Sequence, residues 1–65
     1  MADGIVKFYN RNKSFGFIQG DDGKDYFVHE TGLVEGVQID EGDRVTFDVT
    51  SGDRGPKAEN VKKAG

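Results

Sequence analysis

The sequence predicts a small all-β domain, either a sandwich or a barrel, and three observations lead to that class. The chain has 65 residues, enough for one domain, and 10 of them are glycine. Short runs rich in β-branched and aromatic residues alternate with turn-forming residues at regular spacing, as in small sandwiches and barrels. No segment has the apolar period of an amphipathic helix. We therefore expect residues 1–65 to form a single domain built from strands.

The runs predict five strands in chain order. They are GIVKFYN (4–10), SFGFIQ (14–19), KDYFVHE (24–30), DRVTFDVT (43–50) and PKAENVKK (56–63). Turn-forming residues separate these runs at 10–12, 20–23 and 51–55. The segment TGLVEGVQIDEG (31–42) is predicted to be a loop, with one helical turn near 30–34.

Alternation along the fourth run indicates which side chains form the core. Val45, Phe47 and Val49 alternate with polar residues, as expected for a strand with one buried and one solvated face. A domain this small buries only about 60% of the surface that its unfolded chain exposes, so it encloses few large side chains. The other predicted core residues are Ile18, Val28, Leu33 and either Ile5 or Val6.

The stretch KSFGFIQGDDGKDYFVHE holds the densest group of rings in the chain. Suppose that the second and third strands pair around a loop at 20–24. Phe17 then lies opposite Phe27, and Phe15 lies opposite His29, with all four side chains on one face because side chains alternate along a strand.

A competing register uses a two-residue turn at Asp22–Gly23, which is a strong hairpin signal. It shifts the pairing by one residue and sends Phe27 and His29 to the face opposite the other two phenylalanines. The aliphatic residues favour the first register, because only that one places Ile18 and Val28 together on the inner face.

The aromatic face has two interpretations. Burial in the core is the usual fate of phenylalanine. However, the other face is already apolar, and the aromatic face ends at His29 with Lys7 and Lys13 close in sequence. Exposed rings bordered by cations suit a single-stranded nucleic acid, because every base has a flat face that can stack and every phosphate attracts a cation.

The charge distribution is uneven, although the net charge is −3. Residues 1–20 carry three cations and one acid, residues 21–53 carry two cations and ten acids, and residues 54–65 carry four cations and one acid. Either this is a solvated surface of mixed sign, or the two basic ends meet in space and form a positive face.

Several classes of protein are excluded by what the chain lacks. It contains no cysteine, so disulfides and thiolate zinc sites are ruled out. The beginning, MADGIVKFYN, has no basic region followed by an apolar run, and no stretch approaches the roughly 18 apolar residues of a membrane span. We expect a soluble cytoplasmic protein with no membrane association.

Four ordered motifs carry a resemblance to a known family. KSFGFI (13–18) and YFVHE (26–30) resemble the first and second ribonucleoprotein motifs of bacterial-type cold-shock proteins, and GIVKFYN and GDRGPKAENVKK (52–63) are similar to the ends of that family. The resemblance implies a five-stranded antiparallel β-barrel of the oligonucleotide-binding type. It also implies binding of single-stranded, pyrimidine-rich RNA and DNA, and an RNA-chaperone role that melts unwanted secondary structure.

The resemblance also implies which residues bind the strand. Lys7, Lys13 and Arg54 match positions that contact phosphate, with Arg54 also able to stack, and Asp25 matches an acceptor for a base edge. We add Lys57 as a further cation near the end of the chain. The rings implied to stack on bases are Phe8, Phe15, Phe17, Phe27 and His29.

The chain departs from the family at several positions. Phe8 stands where tryptophan is frequent, Ser14 where glycine is frequent, and Glu30 where many members have an aromatic residue. The loop at 33–41 is short and lacks an aromatic residue that members often carry. Each change removes or weakens a contact, so we expect a smaller binding face.

Other functions fit the sequence less well. An enzyme is not expected, since the chain has one histidine, no cysteine and no recognisable nucleophile and base pair. Asp21, Asp22 and Asp25 lack the spacing of a calcium loop and are expected to form a solvated turn. No cofactor, metal or small-molecule substrate is expected, and the protein is expected to be a monomer. The alternative function is a small barrel whose aromatic patch docks another protein.

Overall fold

Five strands and one helical turn follow one another in the order that the sequence predicts. The computed structural model describes residues 2–53 and 55–64. Its elements are β1 (Ala2–Asn10), β2 (Phe15–Gly20), β3 (Asp25–His29), a 3-10 turn (Glu30–Gly32), β4 (Arg44–Gly52) and β5 (Gly55–Lys63). Within the described ranges, no helix is long and apolar enough to cross a membrane.

The strands close into a barrel in the order β1-β2-β3-β5-β4, with β4 lying beside β1. The β1–β2, β2–β3, β1–β4 and β4–β5 pairs are antiparallel, whereas β3 meets β5 in a short parallel contact between Phe27 and Lys57. A parallel bridge between Leu33 and Val61 extends this seam. This short parallel seam closes the barrel. The predicted all-β, five-stranded barrel is confirmed.

The β2–β3 hairpin adopts the first of the two registers considered above. Phe15 pairs with His29, Phe17 with Phe27, and the next pairs follow in step down to Gln19 and Asp25. The Asp22–Gly23 pair still lies in the turn, but Gly20 donates a hydrogen bond to the Lys24 carbonyl at 2.7 Å, which makes the loop longer than two residues. The register with the shorter turn is wrong.

The inner face of the barrel forms one apolar core. Phe47 is fully buried and is the only phenylalanine in this cluster among the described residues. Val6 is 1% exposed whereas Ile5 is 44% exposed, which decides between the two residues that the sequence left open. Leu33 is partly buried and packs against the cluster. The buried members are Val6, Ile18, Tyr26, Val28, Ile39, Val45, Phe47, Ala58 and Val61.

The observed core differs from the sequence prediction at Val49 and Ile39, and it also includes Tyr26, Ala58 and Val61, which the predicted core did not name. Val49 is 53% exposed rather than buried, because β1 pairs with β4 only between Arg44 and Phe47, so the end of β4 has no β1 residue to cover it. Ile39 is buried although it lies in the predicted loop, where no strand period marks it. The loop therefore contributes an apolar side chain to the core of the barrel.

Tyr26 joins the core to the hairpin turn. Its ring lies 5.1 Å from that of Phe47, centroid to centroid, and its hydroxyl donates a hydrogen bond of 2.6 Å to Asp22. This hydrogen bond, followed by one from the Lys24 backbone N–H, lowers the pKa of Asp22 below its ordinary value of 3.8. The ionised carboxylate is therefore the form that the folded protein prefers.

Replacing Tyr26 with phenylalanine is expected to remove a pH-dependent part of the stability. A lowered carboxyl pKa contributes stability that is complete above the unfolded value near 4 and is lost as the pH falls through the folded value. The difference in unfolding free energy between the parent protein and Tyr26→Phe should thus be largest near pH 7 and shrink below about pH 4. Urea unfolding followed by circular dichroism at a series of pH values measures it.

Asp22→Asn is the matched control, because its amide oxygen still accepts the hydroxyl but does not titrate. A constant difference between the parent and Tyr26→Phe from pH 7 to pH 3 would contradict this account.

Candidate nucleic-acid interface

Four phenylalanine rings form a continuous cluster on the outer surface of β1, β2 and β3. The Phe8 ring lies 6.2 Å from Phe15 and 5.6 Å from Phe17, and the Phe27 ring lies 5.8 Å from each of the same two, centroid to centroid. Phe8 is 41% exposed and the other three are partly exposed. We call Phe8, Phe15, Phe17 and Phe27 the ring cluster.

A β-bulge places Phe8 in the ring cluster. Val6 pairs with Ile18 but Phe8 pairs with Phe17, so Lys7 is an extra residue with no partner on β2. Such an insertion changes the face of the sheet on which the following side chains lie. As a result Lys7 and Phe8 are both exposed, whereas strict alternation from the buried Val6 would have turned Phe8 inward.

Gly16 explains how two phenylalanines can flank the same point of β2. A Cβ at Gly16 would lie 2.2 Å from the Phe8 carbonyl oxygen and 2.8 Å from the Tyr9 Cα. No side chain fits there, because β1 passes directly across this residue. The glycine therefore allows the close strand contact that holds Phe15 and Phe17 against Phe8.

The turn between β1 and β2 fixes Lys13 and the first ring of β2. The Asn10 side chain accepts a hydrogen bond of 3.1 Å from the Lys13 backbone N–H, and Ser14 has a φ of 61°. Positive φ is unfavourable for residues that carry a Cβ. The turn thus keeps a glycine-like conformation although serine occupies the position.

His29 lies beside the ring cluster, directly opposite Phe15. Its Nδ1 accepts a hydrogen bond of 3.2 Å from the Thr31 backbone N–H, which holds the imidazole at the start of the 3-10 turn. The ring is partly exposed, so a flat face remains accessible.

Cations lie on both sides of the ring cluster, but most are neutralised by carboxylates. Lys57 is the cross-strand neighbour of Phe27 and forms an ion pair of 3.1 Å with Glu59. Lys7 forms an ion pair of 3.3 Å with Asp25, and Arg11 pairs with Asp40. Across residues 2–53 and 55–64, Lys13 forms no ion pair. Arg54 lies outside the described residues.

These ion pairs modify the two charge hypotheses. The two basic ends of the chain do approach one face, since Lys7 on β1 and Lys57 on β5 flank the rings. That face is nevertheless only weakly positive, because each of these two lysines has a carboxylate within 3.3 Å. Asp25, expected to meet a base edge, is engaged by Lys7 before any ligand arrives.

A groove of about 390 Å³ continues from the ring cluster towards the β4–β5 turn. The described residues that line it are Phe27, Ser51, Gly52, Asp53, Gly55 and Lys57. The sequence interpretation missed Ser51, Gly52 and Asp53. No residue pattern marks them, because glycine and serine in a turn are common wherever two strands are joined.

The three aspartates of the hairpin turn do not form a metal site. Asp21 accepts a hydrogen bond of 2.8 Å from Arg44, Asp22 is bonded by Tyr26, and Asp25 pairs with Lys7. In the part of the chain that the structure describes, no group of three histidine or acidic residues is arranged to hold a metal ion.

Comparisons with known proteins identify the family. The model of the "cold-shock" DNA-binding domain matches residues 2–64. Cold shock protein 2 of Lactiplantibacillus plantarum is 50% identical over 64 residues, covering 95% of this chain and 97% of that protein. Cold shock protein CspC of Bacillus subtilis is 47% identical over 66 residues, covering 98% and 100%. The chain belongs to the cold-shock domain family and is a nucleic-acid-binding domain.

A solved structure supports the fold independently of close sequence similarity. The Drosophila Unr CSD456 structure superposes with a TM-score of 0.79 at 23% identity, covering 98% of this chain. This chain spans 26% of that one. The shared feature is thus the barrel itself.

Replacing Ser14 with glycine is expected to stabilise the fold. A left-handed backbone conformation costs an L-residue roughly 1–2 kcal/mol, which the change to glycine removes. The greater conformational freedom of glycine in the unfolded chain reduces that gain by about 0.5–1 kcal/mol. The net gain in unfolding free energy should be up to about 1.5 kcal/mol, measured by urea unfolding. Ser51→Gly is the control, since Ser51 lies within β4 and the change there should stabilise nothing. A loss of stability in Ser14→Gly would contradict the strain argument.

Proposed function

We propose that this protein binds single-stranded RNA and DNA by stacking bases on the ring cluster and His29. The observation that carries the proposal is the ring cluster itself. Four phenylalanines lie in mutual contact outside the barrel although burial is their usual environment. A contiguous exposed apolar patch of this kind marks an interaction site, and bases are flat ligands that stack on rings with little sequence preference.

The proposed contacts divide between stacking and phosphate binding. Bases stack along the row Phe8, Phe17 and Phe27, which lie side by side on three adjacent strands. Lys13 binds phosphate directly, whereas Lys7 and Lys57 exchange a carboxylate for a phosphate. Release of Asp25 from Lys7 leaves its carboxylate free to accept from a base edge. Arg54 is proposed as a further phosphate or stacking contact.

Stacking favours strands whose bases are already unpaired. A base inside a duplex has no free face, so binding shifts the equilibrium of an RNA hairpin towards its open form. We therefore infer an RNA-chaperone role in which the domain, a monomer in the cytoplasm, keeps pyrimidine-rich RNA single-stranded under cold stress without catalysing a reaction.

Removing single rings is expected to weaken binding and leave the fold largely intact. Phe17→Ala and Phe27→Ala should each cost roughly 1–3 kcal/mol in affinity for a short oligothymidylate. Each variant should lose much less unfolding free energy than the roughly 3–5 kcal/mol that is lost when a buried phenylalanine is truncated to alanine. Fluorescence anisotropy of a labelled oligonucleotide and thermal unfolding measure the two effects.

Phe47→Ala is the matched control, since Phe47 is fully buried and its loss should unfold the domain. A duplex of the same length should bind much more weakly than the single strand. Affinity that is unchanged in both ring variants would remove the stacking mechanism. Failure of the parent protein to bind the oligothymidylate would favour a protein-docking role for the same patch.

Salt dependence is expected to be weaker than the number of cations implies. Each phosphate contact contributes a slope of about −0.7 to log affinity against log salt. A lysine that leaves a carboxylate for a phosphate leaves that negative charge beside the strand, which offsets the neutralised phosphate. With Lys7, Arg11 and Lys57 already paired, one or two net contacts give a slope of about −0.7 to −1.4.

Glu59→Gln frees Lys57 and should steepen that slope, by up to about 0.7. Glu35→Gln, which removes an equal charge elsewhere on the surface, serves as the control and should leave the slope unchanged. A slope near −3 for the parent protein, unaltered in Glu59→Gln, would mean that the ion pairs do not oppose binding.

A further inference from the structure

A second, smaller site opens at the end of the barrel beside the ring cluster. It is a pocket of about 180 Å³ lined by Tyr9, Arg11, Glu30, Gln38 and Ile39. Ile39 is 1% exposed and supplies an apolar surface, while the other four residues bring polar groups. The volume is below the roughly 300–1,000 Å³ of clefts that hold drug-sized ligands, so it suits a single base.

Glu30 occupies the position next to the end of the stacking surface. It follows His29 in the chain, and its backbone N–H donates a hydrogen bond of 2.9 Å to the Ser14 carbonyl. Lys13 immediately precedes Ser14 and is exposed. A strand that passes over Phe15 and His29 therefore reaches Glu30 next, with a lysine nearby to hold its phosphate.

The Glu30 carboxylate is an uncommitted acceptor in this pocket. Over residues 2–53 and 55–64 it accepts no hydrogen bond and forms no ion pair, whereas the neighbouring Arg11 is held by Asp40. Its charge does act within the pocket. Burial and, next, the Glu30 charge raise the pKa of the Tyr9 hydroxyl.

We propose that Glu30 reads one guanine at the end of the bound strand, an inference that rests on the proposed function. A carboxylate has two parallel acceptor oxygens, and the Watson–Crick edge of guanine presents two adjacent donors, N1–H and the N2 amino group. The match is bidentate and charge-assisted. The Gln38 amide lies in the same pocket and supplies a donor for guanine O6.

The other bases do not satisfy this acceptor pair. Thymine and uracil have a single N3–H between two carbonyl oxygens, which repel a carboxylate. Adenine and cytosine place a ring acceptor beside their amino group. Glu30 therefore discriminates partly by leaving the wrong base with an unpaired or repelled group.

The test places one guanine in turn at each position of a short, labelled oligothymidylate and measures affinity at low salt. In the parent protein one position near an end should bind roughly fivefold to tenfold tighter than thymine. Inosine at that position, which lacks the N2 amino group, should lose most of the gain. A single guanine per strand avoids self-association of the probe.

Glu30→Gln should abolish the preference for guanine at that position and keep binding to the oligothymidylate. Glu41→Gln, an equal loss of charge in the loop between the 3-10 turn and β4 but outside the pocket, should keep the preference. Equal affinity for guanine and thymine at every position, or a preference that survives in Glu30→Gln, would overturn the guanine assignment while the stacking function stands. Absence of any binding to the oligothymidylate would overturn both.

Discussion

The pairing register of β2 with β3 is the constraint on which the rest of the molecule depends. It puts Ile18 and Val28 on the inner face and Phe17 and Phe27 on the outer one. A shift by one residue would move every side chain of one strand to the other face. The core would lose an aliphatic residue and gain rings too large for a five-stranded interior that encloses Phe47 as its one phenylalanine among the described residues. Fold stability and the exposed ring cluster are thus two results of one pairing.

The alternation of apolar side chains and the limited volume of the core were sufficient to predict the register of that hairpin. They do not predict the β-bulge in β1. From the buried Val6, strict alternation turns Phe8 inward, and only the family resemblance assigned it to the surface. The bulge at Lys7 has no local sequence signal, since any residue can occupy it and the cause lies in the partner strand. Val49 and Ile39 were misjudged for a similar reason, because both depend on where a neighbouring strand or loop ends. The five strands, the helical turn and the outward rings were predictable, whereas the groove beside Ser51 and the pocket beside Tyr9 were not.

The ion pairs around the ring cluster show why counting cations overstates the positive charge of the surface. Lys7 and Lys57 border the rings, yet each lies within 3.3 Å of a carboxylate. Ion pairs at the protein surface contribute only about 0–1 kcal/mol to stability and can be exchanged at little cost. These ion pairs affect binding more than they affect folding. A neutralised lysine attracts a distant nucleic-acid strand less, and its contact with that strand leads to a smaller net release of counterions. Under the proposed function, the rings then supply most of the affinity.

The proposed dependence of binding on stacking rather than on charge has a consequence for selectivity. Stacking is tolerant of sequence because every base has a π-face, so the ring cluster alone would hold many strands about equally well. Discrimination has to come from polar groups at its border, and the two carboxylates there are in different states. Asp25 is engaged by Lys7 at 3.3 Å, whereas the Glu30 carboxylate accepts no hydrogen bond from the described residues. In the guanine proposal, the exposed Glu30 carboxylate gains more than Asp25 does when a matching pair of donors arrives, because it has no ion pair to break. Under the two proposals, Glu30 at a position where the family resemblance implies an aromatic residue thus exchanges affinity for pyrimidine tracts for a preference at one end of the strand.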